Sequence, residues 1–224
     1  MKNKFLDLIN EYYPLTKQNI KEFEKVKVGI MKFYIEKYNA ENFGNVSIMN
    51  GVGMFGLMKM DTIIINPFEK DMTLFSYDII NAMNNETLFL EQYDTLLDES
   101  YREIINENMS ILVNSFDKVE NEPYISKWYD SLYLDKVSFK KKSKKIKNYF
   151  DSIALEYLMK YLDLSKEAKD CDETLKKEKA RQYTEGLLLN GGPSTDVFRK
   201  KKGQEFTEKF FREVLFGTNK ISRN

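Results

Sequence analysis

Between residues 60 and 80 the chain reads MDTIIINPFEKDMTLFSYDII, two apolar runs separated by a short polar turn. Ile63, Ile64 and Ile65 are β-branched, and residues 72–80 are again rich in apolar and aromatic side chains. Such a composition fits a pleated, half-buried surface, so the pattern predicts two adjacent strands joined through a turn at Pro67. Residues 17–39 place Ile20, Phe23, Val26, Ile30, Phe33, Tyr34 and Tyr38 at helical spacing, which predicts an amphipathic helix with one face on the sheet. Thr16 would cap its start, and the asparagines around Gly44 would end it.

Farther along, Asn84 and Asn85 predict a tight turn after the second strand, and residues 86–93 its return. Residues 101–113 carry helical spacing at Tyr101, Ile104, Ile105, Met109 and Leu112, although a strand over 110–116 fits some of the same residues. Trp128, Tyr129, Leu132, Tyr133, Leu134, Val137 and Phe139 predict another strand, led in through Pro123. The carboxy-terminal third reads as helical. Ile146, Phe150, Ile153, Tyr157, Tyr161 and Leu164 form one long stripe, and residues 175–189 a weaker one stopped by Gly191, Gly192 and Pro193. A final helix from Thr207 carries Phe210, Phe211, Val214 and Leu215. With no repeat or linker, the expectation is one domain over residues 1–224, an antiparallel sheet covered by helices on both faces.

Composition narrows the chemistry. The 224 residues include no histidine, which excludes a Ser-His-Asp triad, a Cys-His pair and any His-ligated metal. The single cysteine, Cys171, permits no internal disulfide and points to a reducing compartment. No apolar run approaches the length of a spanning helix, so the expectation is a soluble, cytoplasmic protein with no membrane partner. Formal charge is zero, which argues against a dedicated nucleic-acid binder. Seven lysines and no acid fall between Lys136 and Lys147, a patch suited either to an anionic partner or to plain solvation.

Two motifs invite a functional reading. Residues 51–56, GVGMFG, spell a literal GxGxxG, but they lead into the isoleucine strand rather than a helix, so a strand or bulge needing close backbone approach is the better account. Asp78 lies inside a predicted strand between Tyr77 and Ile79, where a carboxylate is costly to bury unless paired or protonated. With histidine absent, acid-base chemistry falls to such a group, its pKa raised by burial. A structural carboxylate bonded to backbone is the competing account of Asp78.

Three segments together resemble the ferredoxin-dependent bilin reductases, a family related to red chlorophyll catabolite reductase. Residues 72–80, MTLFSYDII, are similar to the family strand that holds a central aspartate, with Asn66, Pro67 and Phe68 matching the turn before it. Residues 128–140 are similar to its Trp-led segment, and residues 203–216, GQEFTEKFFREVLF, to its closing helix. The resemblance implies an α/β fold, a three-layer α/β/α sandwich with a central antiparallel sheet and a linear tetrapyrrole between the sheet and the last helices. It implies a monomer with no bound cofactor or metal, electrons coming singly from an external reduced ferredoxin through a substrate radical.

On that resemblance Asp78 is the proton donor and Asp61 a second donor or polar neighbour. Lys140 stands where the family has an arginine near the substrate propionates. Gly191 and Gly192, just after Asn190, replace a second family aspartate, leaving Asn190 as a substrate contact and implying one two-electron reduction. Lys141, Lys144 and Lys145 would dock the acidic ferredoxin. The alternative is a tetrapyrrole carrier of the same fold without turnover.

Overall fold

A computed structural model describes residues 2–116, 119, 121–122, 125, 127–144 and 149–219. Its eight strands are β1 (Leu15–Gln18), β2 (Lys25–Val28), β3 (Met31–Ala40), β4 (Gly44–Gly53), β5 (Met58–Pro67), β6 (Leu74–Ala82), β7 (Asn85–Tyr93) and β8 (Phe139–Lys144). They form one antiparallel sheet in which β3 to β8 follow sequence order, while β1 and β2 both pair with β3. Among the described residues the α-helices are α1 (Lys2–Tyr12), α2 (Ser100–Ser115), α3 (Tyr149–Glu167), α4 (Glu173–Asn190), α5 (Pro193–Lys202) and α6 (Gln204–Lys209), the last running on into a π-helical turn, Phe210–Leu215.

Alternation along the strands divides the core into two layers. Ile63 and Ile65 face a cluster with Phe5 and Ile9 of α1, Ile105 and Met109 of α2, and Tyr157 and Tyr161 of α3. Ile64, between them, faces the opposite cluster with Tyr183 and Leu188 of α4, Phe198 of α5 and Phe210 of the π turn. A strand buried on both sides carries an unbroken apolar run, which is why three isoleucines stand in a row. The architecture is the α/β/α sandwich expected, with β5 and β6 adjacent at its centre.

Residues 17–39 are not a helix. They form the end of β1, all of β2 and most of β3, with a short helical turn at Lys21–Phe23. The sequence from Lys25 to Val28 alternates Lys-Val-Lys-Val, so Val26 and Val28 are buried and the lysines exposed, a period of two that the three-and-four spacing masked. Gly29, at φ 60°, then turns the chain back into β3. Residues 128–132 form turns rather than a strand; Tyr133 makes an isolated antiparallel bridge to Tyr93, and a continuous strand begins only with β8 at Phe139. Residues 101–113 are helical, within α2. The helices α1 and α5 went unpredicted, and Pro123 and Ile146 lie outside the described residues.

The glycine motif is conformational. A Cβ on Gly51 would come within 2.6 Å of the Phe33 ring and one on Gly53 within 2.2 Å of Met31 Sδ, so both glycines admit side chains of β3. Across the sheet, the carboxy-terminal segment is fastened by side chains of β4 and β5. Asn45 Nδ2 and Ser47 Oγ donate to Leu215 O at 3.1 and 2.8 Å, and Asn66 Nδ2 donates to Phe216 O at 2.8 Å. Those carbonyls end a helix and would otherwise be unpaired. Among the described residues no helix is long and apolar enough to cross a membrane.

Candidate functional site

Between the sheet and the α4–α6 layer lies a cavity of about 450 Å³. Its floor is the row of strand residues whose side chains alternate toward that layer: Met49 on β4, Met60, Thr62 and Ile64 on β5, Ser76 and Asp78 on β6, Glu91 and Tyr93 on β7. Register places Met49, Thr62, Asp78 and Phe89 side by side across four strands. Trp128, Tyr129, Tyr183, Leu187, Phe198, Phe211 and Phe216 line much of the rest, with Gly191, Gly192, Ser194 and Thr195 at the start of α5. Flat aromatic walls around a few polar groups suit a flat conjugated ligand.

Asp78 is the chemically distinctive group. Thr62 Oγ1 donates to its Oδ1, and Ser76 Oγ lies 3.5 Å from its Oδ2. Burial pushes its carboxyl up from 3.8 to about 7, against the opposing pull of the Thr62 hydrogen bond, with the Glu91 charge adding to the rise. Near neutrality both forms are therefore populated, as a group that donates a proton and recovers it requires. Glu91 accepts from the Tyr93 hydroxyl at 2.7 Å, and its other oxygen lies 3.9 Å from Lys127 Nζ. Lys127 also bonds the Tyr129 hydroxyl and stands 4.9 Å over the Tyr129 ring.

Gly186 on α4 makes room for the aromatic wall. A Cβ there would meet Trp128 Cζ3 at 2.1 Å, so only glycine lets the indole lie against the helix. Trp128 in turn stacks near Tyr183 at 5.8 Å, and Tyr183 lies 4.1 Å from Tyr93 between ring centres.

The other residues singled out from the sequence fare unevenly. Asp61 is on β5 one residue from the cavity-lining Met60 and Thr62, so its side chain faces the opposite layer, where Asn50 Nδ2 donates to it at 2.7 Å. The two aspartates share no cavity. Lys140 is on the cavity face of β8, next to Phe89 in the row that contains Asp78; its Nζ pairs with Glu122 at 3.3 Å and stands 5.4 Å over the Phe89 ring. It marks the rim. Asn190, exposed at the end of α4, turns its amide back to Gly186 O at 3.1 Å, and the two glycines after it reach the cavity instead.

The lysine patch divides. Lys141 is buried at 3% exposure and donates to Phe116 O and Val119 O at 2.5 and 2.6 Å, which removes it from any docking surface. Its role is to satisfy carbonyls at the end of α2. Lys144 is exposed at the end of β8, and Lys145 lies outside the described residues. Glu91, Lys127 and Tyr183 were not singled out. For Glu91 the signal was present, since alternation from Phe89 through Glu91 to Tyr93 puts it on the same face as Asp78 once the hairpin register is known.

No family model matches the sequence, and neither does any curated protein. The fold does find a counterpart in the crystal structure of phytochromobilin synthase from tomato in complex with biliverdin. The superposition has a TM-score of 0.78 and covers 97% of this chain and 82% of that one, at 11% sequence identity. The two chains share one fold. At that identity the likeness extends to the α/β/α architecture alone.

Proposed function

We propose that the cavity binds a linear tetrapyrrole, a biliverdin-like bilin, and that Asp78 protonates it as electrons arrive one at a time from an external reduced ferredoxin. The observation that carries this reading is a carboxyl with a pKa of about 7 on the floor of an aromatic-walled cavity of about 450 Å³. The shared fold with a protein whose structure holds biliverdin supports the same substrate class.

Reducing one double bond takes two electrons and two protons. Asp78 supplies one proton at a carbon of the bound pigment and regains it from water, which also supplies the second, Thr62 and Ser76 holding the carboxyl oxygens in place. An electron added to the conjugated system raises its basicity, so electron transfer precedes proton transfer. Lys127, which lines the cavity, and Lys140, in the same row of strand residues as Asp78, offer cations to the acidic side chains of a bilin. Lys144 is the docking cation among the described residues that remains exposed for an acidic donor.

A carrier without turnover is the second reading, favoured by the glycines at 191 and 192 where the resemblance places another acid. One experiment separates the two. Under oxygen-free conditions, protein mixed with biliverdin and reduced ferredoxin should lose the pigment's long-wavelength band and yield a reduced bilin. A band that shifts on binding and then stays constant would establish the carrier.

A further inference from the structure

One end of the sheet is built against its own stability. The β2–β3, β4–β5 and β6–β7 hairpins all turn there, and Ile30, Met54, Phe55, Leu57 and Met83 at their tips are exposed, Phe55 completely and Met83 at 77%. Three of these, Met54, Phe55 and Met83, hold left-handed backbone at φ 48°, 55° and 53°, a conformation that is strained for large side chains. The tips adjoin: Met83 N–H donates to Leu57 O at 3.0 Å, and a Cβ on Gly53 would lie 3.3 Å from Ile30 O. Exposed apolar patches of this kind mark interaction sites.

The charges beside the patch have one sign. Lys27 stands directly opposite Lys32, Lys32 opposite Val52, and Val52 opposite Lys59, so three lysines share a row on one face just behind the tips. Like charges in direct register repel and cost stability. Lys144, opposite Asn85, adds a fourth cation at the same end. The nearest acids are withdrawn: Asp61 lies two residues inward and is held by Asn50, and Glu86 is buried.

We infer that this end of the sheet docks on an anionic lipid surface, the apolar tips entering the headgroup boundary and the lysines meeting lipid phosphates and carboxylates. The tips are convex, with Phe55 at the apex of a three-residue turn, Met54–Gly56. A protein partner would need a matching pocket for each protruding side chain, whereas a bilayer interface yields to them and favours aromatic side chains at that depth. Each lysine near such a surface adds about a fivefold gain in partition. None of the tip residues lines the cavity, so the inference stands apart from what the cavity binds.

Vesicle flotation tests it. The full chain should float with phosphatidylcholine vesicles containing phosphatidylserine, float far less with phosphatidylcholine alone, and be released by salt. Phe55→Ser with Leu57→Ser, and separately Lys27→Gln with Lys32→Gln and Lys59→Gln, should each lower partition at least tenfold. These side chains are exposed, so circular dichroism should match the parent, the serine variant should melt with it, and the glutamine variant should melt at or above it as the opposed charges are removed. Equal flotation of parent and both variants, or no flotation of the parent, overturns the inference. So would a parent that self-associates in sedimentation without lipid and a Phe55→Ser variant that does not, since the tips would then be an interface between copies.

Discussion

Replacing Asp78 with asparagine isolates the carboxyl from its shape, because the amide can still accept from Thr62 and cannot release a proton. Burial lifts the carboxyl from 3.8 to about 7. At about 1.36 kcal/mol per pH unit, holding it ionised in the fold costs about 4 kcal/mol. Water reaching the cavity screens part of this, which leaves about 2 kcal/mol. A folded-state value above the unfolded one means that the unfolded chain loses this proton first as pH climbs. The parent therefore loses stability from about pH 4 to about pH 7 and is level with respect to this group above that. The variant lacks the slope.

Urea or thermal unfolding of both proteins at pH 5 and pH 8.5 measures the difference. The parent has already lost part of that stability by pH 5, so the variant should gain on it by about 1 kcal/mol between the two, or about 2–4 °C in Tm for a chain of this size. In the pigment assay it should bind biliverdin and accumulate a radical absorption without forming product, and parental turnover should fall as pH rises through 7. A stability gap unchanged between the two pH values would refute the raised pKa. Parental turnover by the variant would remove Asp78 from the chemistry.

Asp61→Asn should leave biliverdin turnover within about twofold of the parent, since the side chain faces the α1–α3 layer; product analysis showing fewer electrons consumed would contradict that placement. Lys141→Met should cost about 1–3 kcal/mol in urea unfolding by stranding the carbonyls at the end of α2, while Lys144→Glu, at the exposed strand end, should cost less than about 0.5 kcal/mol. Gly186→Ala should push the indole off α4 and weaken biliverdin binding about tenfold or more. Because Trp128 is the chain's single tryptophan, its fluorescence maximum reports the displacement directly, and an unshifted maximum would show that the ring had not been held there.

The centre of the sheet was legible because its residues satisfy two requirements at once. The isoleucine run must be buried on both faces, and the aspartate in the next strand had to be accounted for wherever that strand lay. The edge was not legible. Val26, Phe33 and their neighbours fall at three-and-four spacing only because the β2–β3 turn resets the count, and a periodicity read across a turn mixes two strands. Lys141 and Lys144 look alike in sequence, yet alternation and the end of α2 bury one and expose the other. Asn190 was chosen through a neighbouring family position, while the cavity takes the small residues after it. Glu91 became visible only with the register, because facing Asp78 is a property of paired strands and not of the segment that carries it.

The fastening of Leu215 and Phe216 to Asn45, Ser47 and Asn66 spans about 150 to 170 positions of chain. Synthesis proceeds at about 5–20 residues per second, so a nascent chain extended through β8 waits several seconds before the segment that roofs its cavity has been made. During that interval Met49, Ile64 and Tyr93 present an uncovered apolar sheet face, an adhesive surface that a chaperone would recognise. Pigment capture is thereby tied to late synthesis. A ribosome-bound intermediate stopped before residue 204 should be able to form its sheet and still hold no ligand.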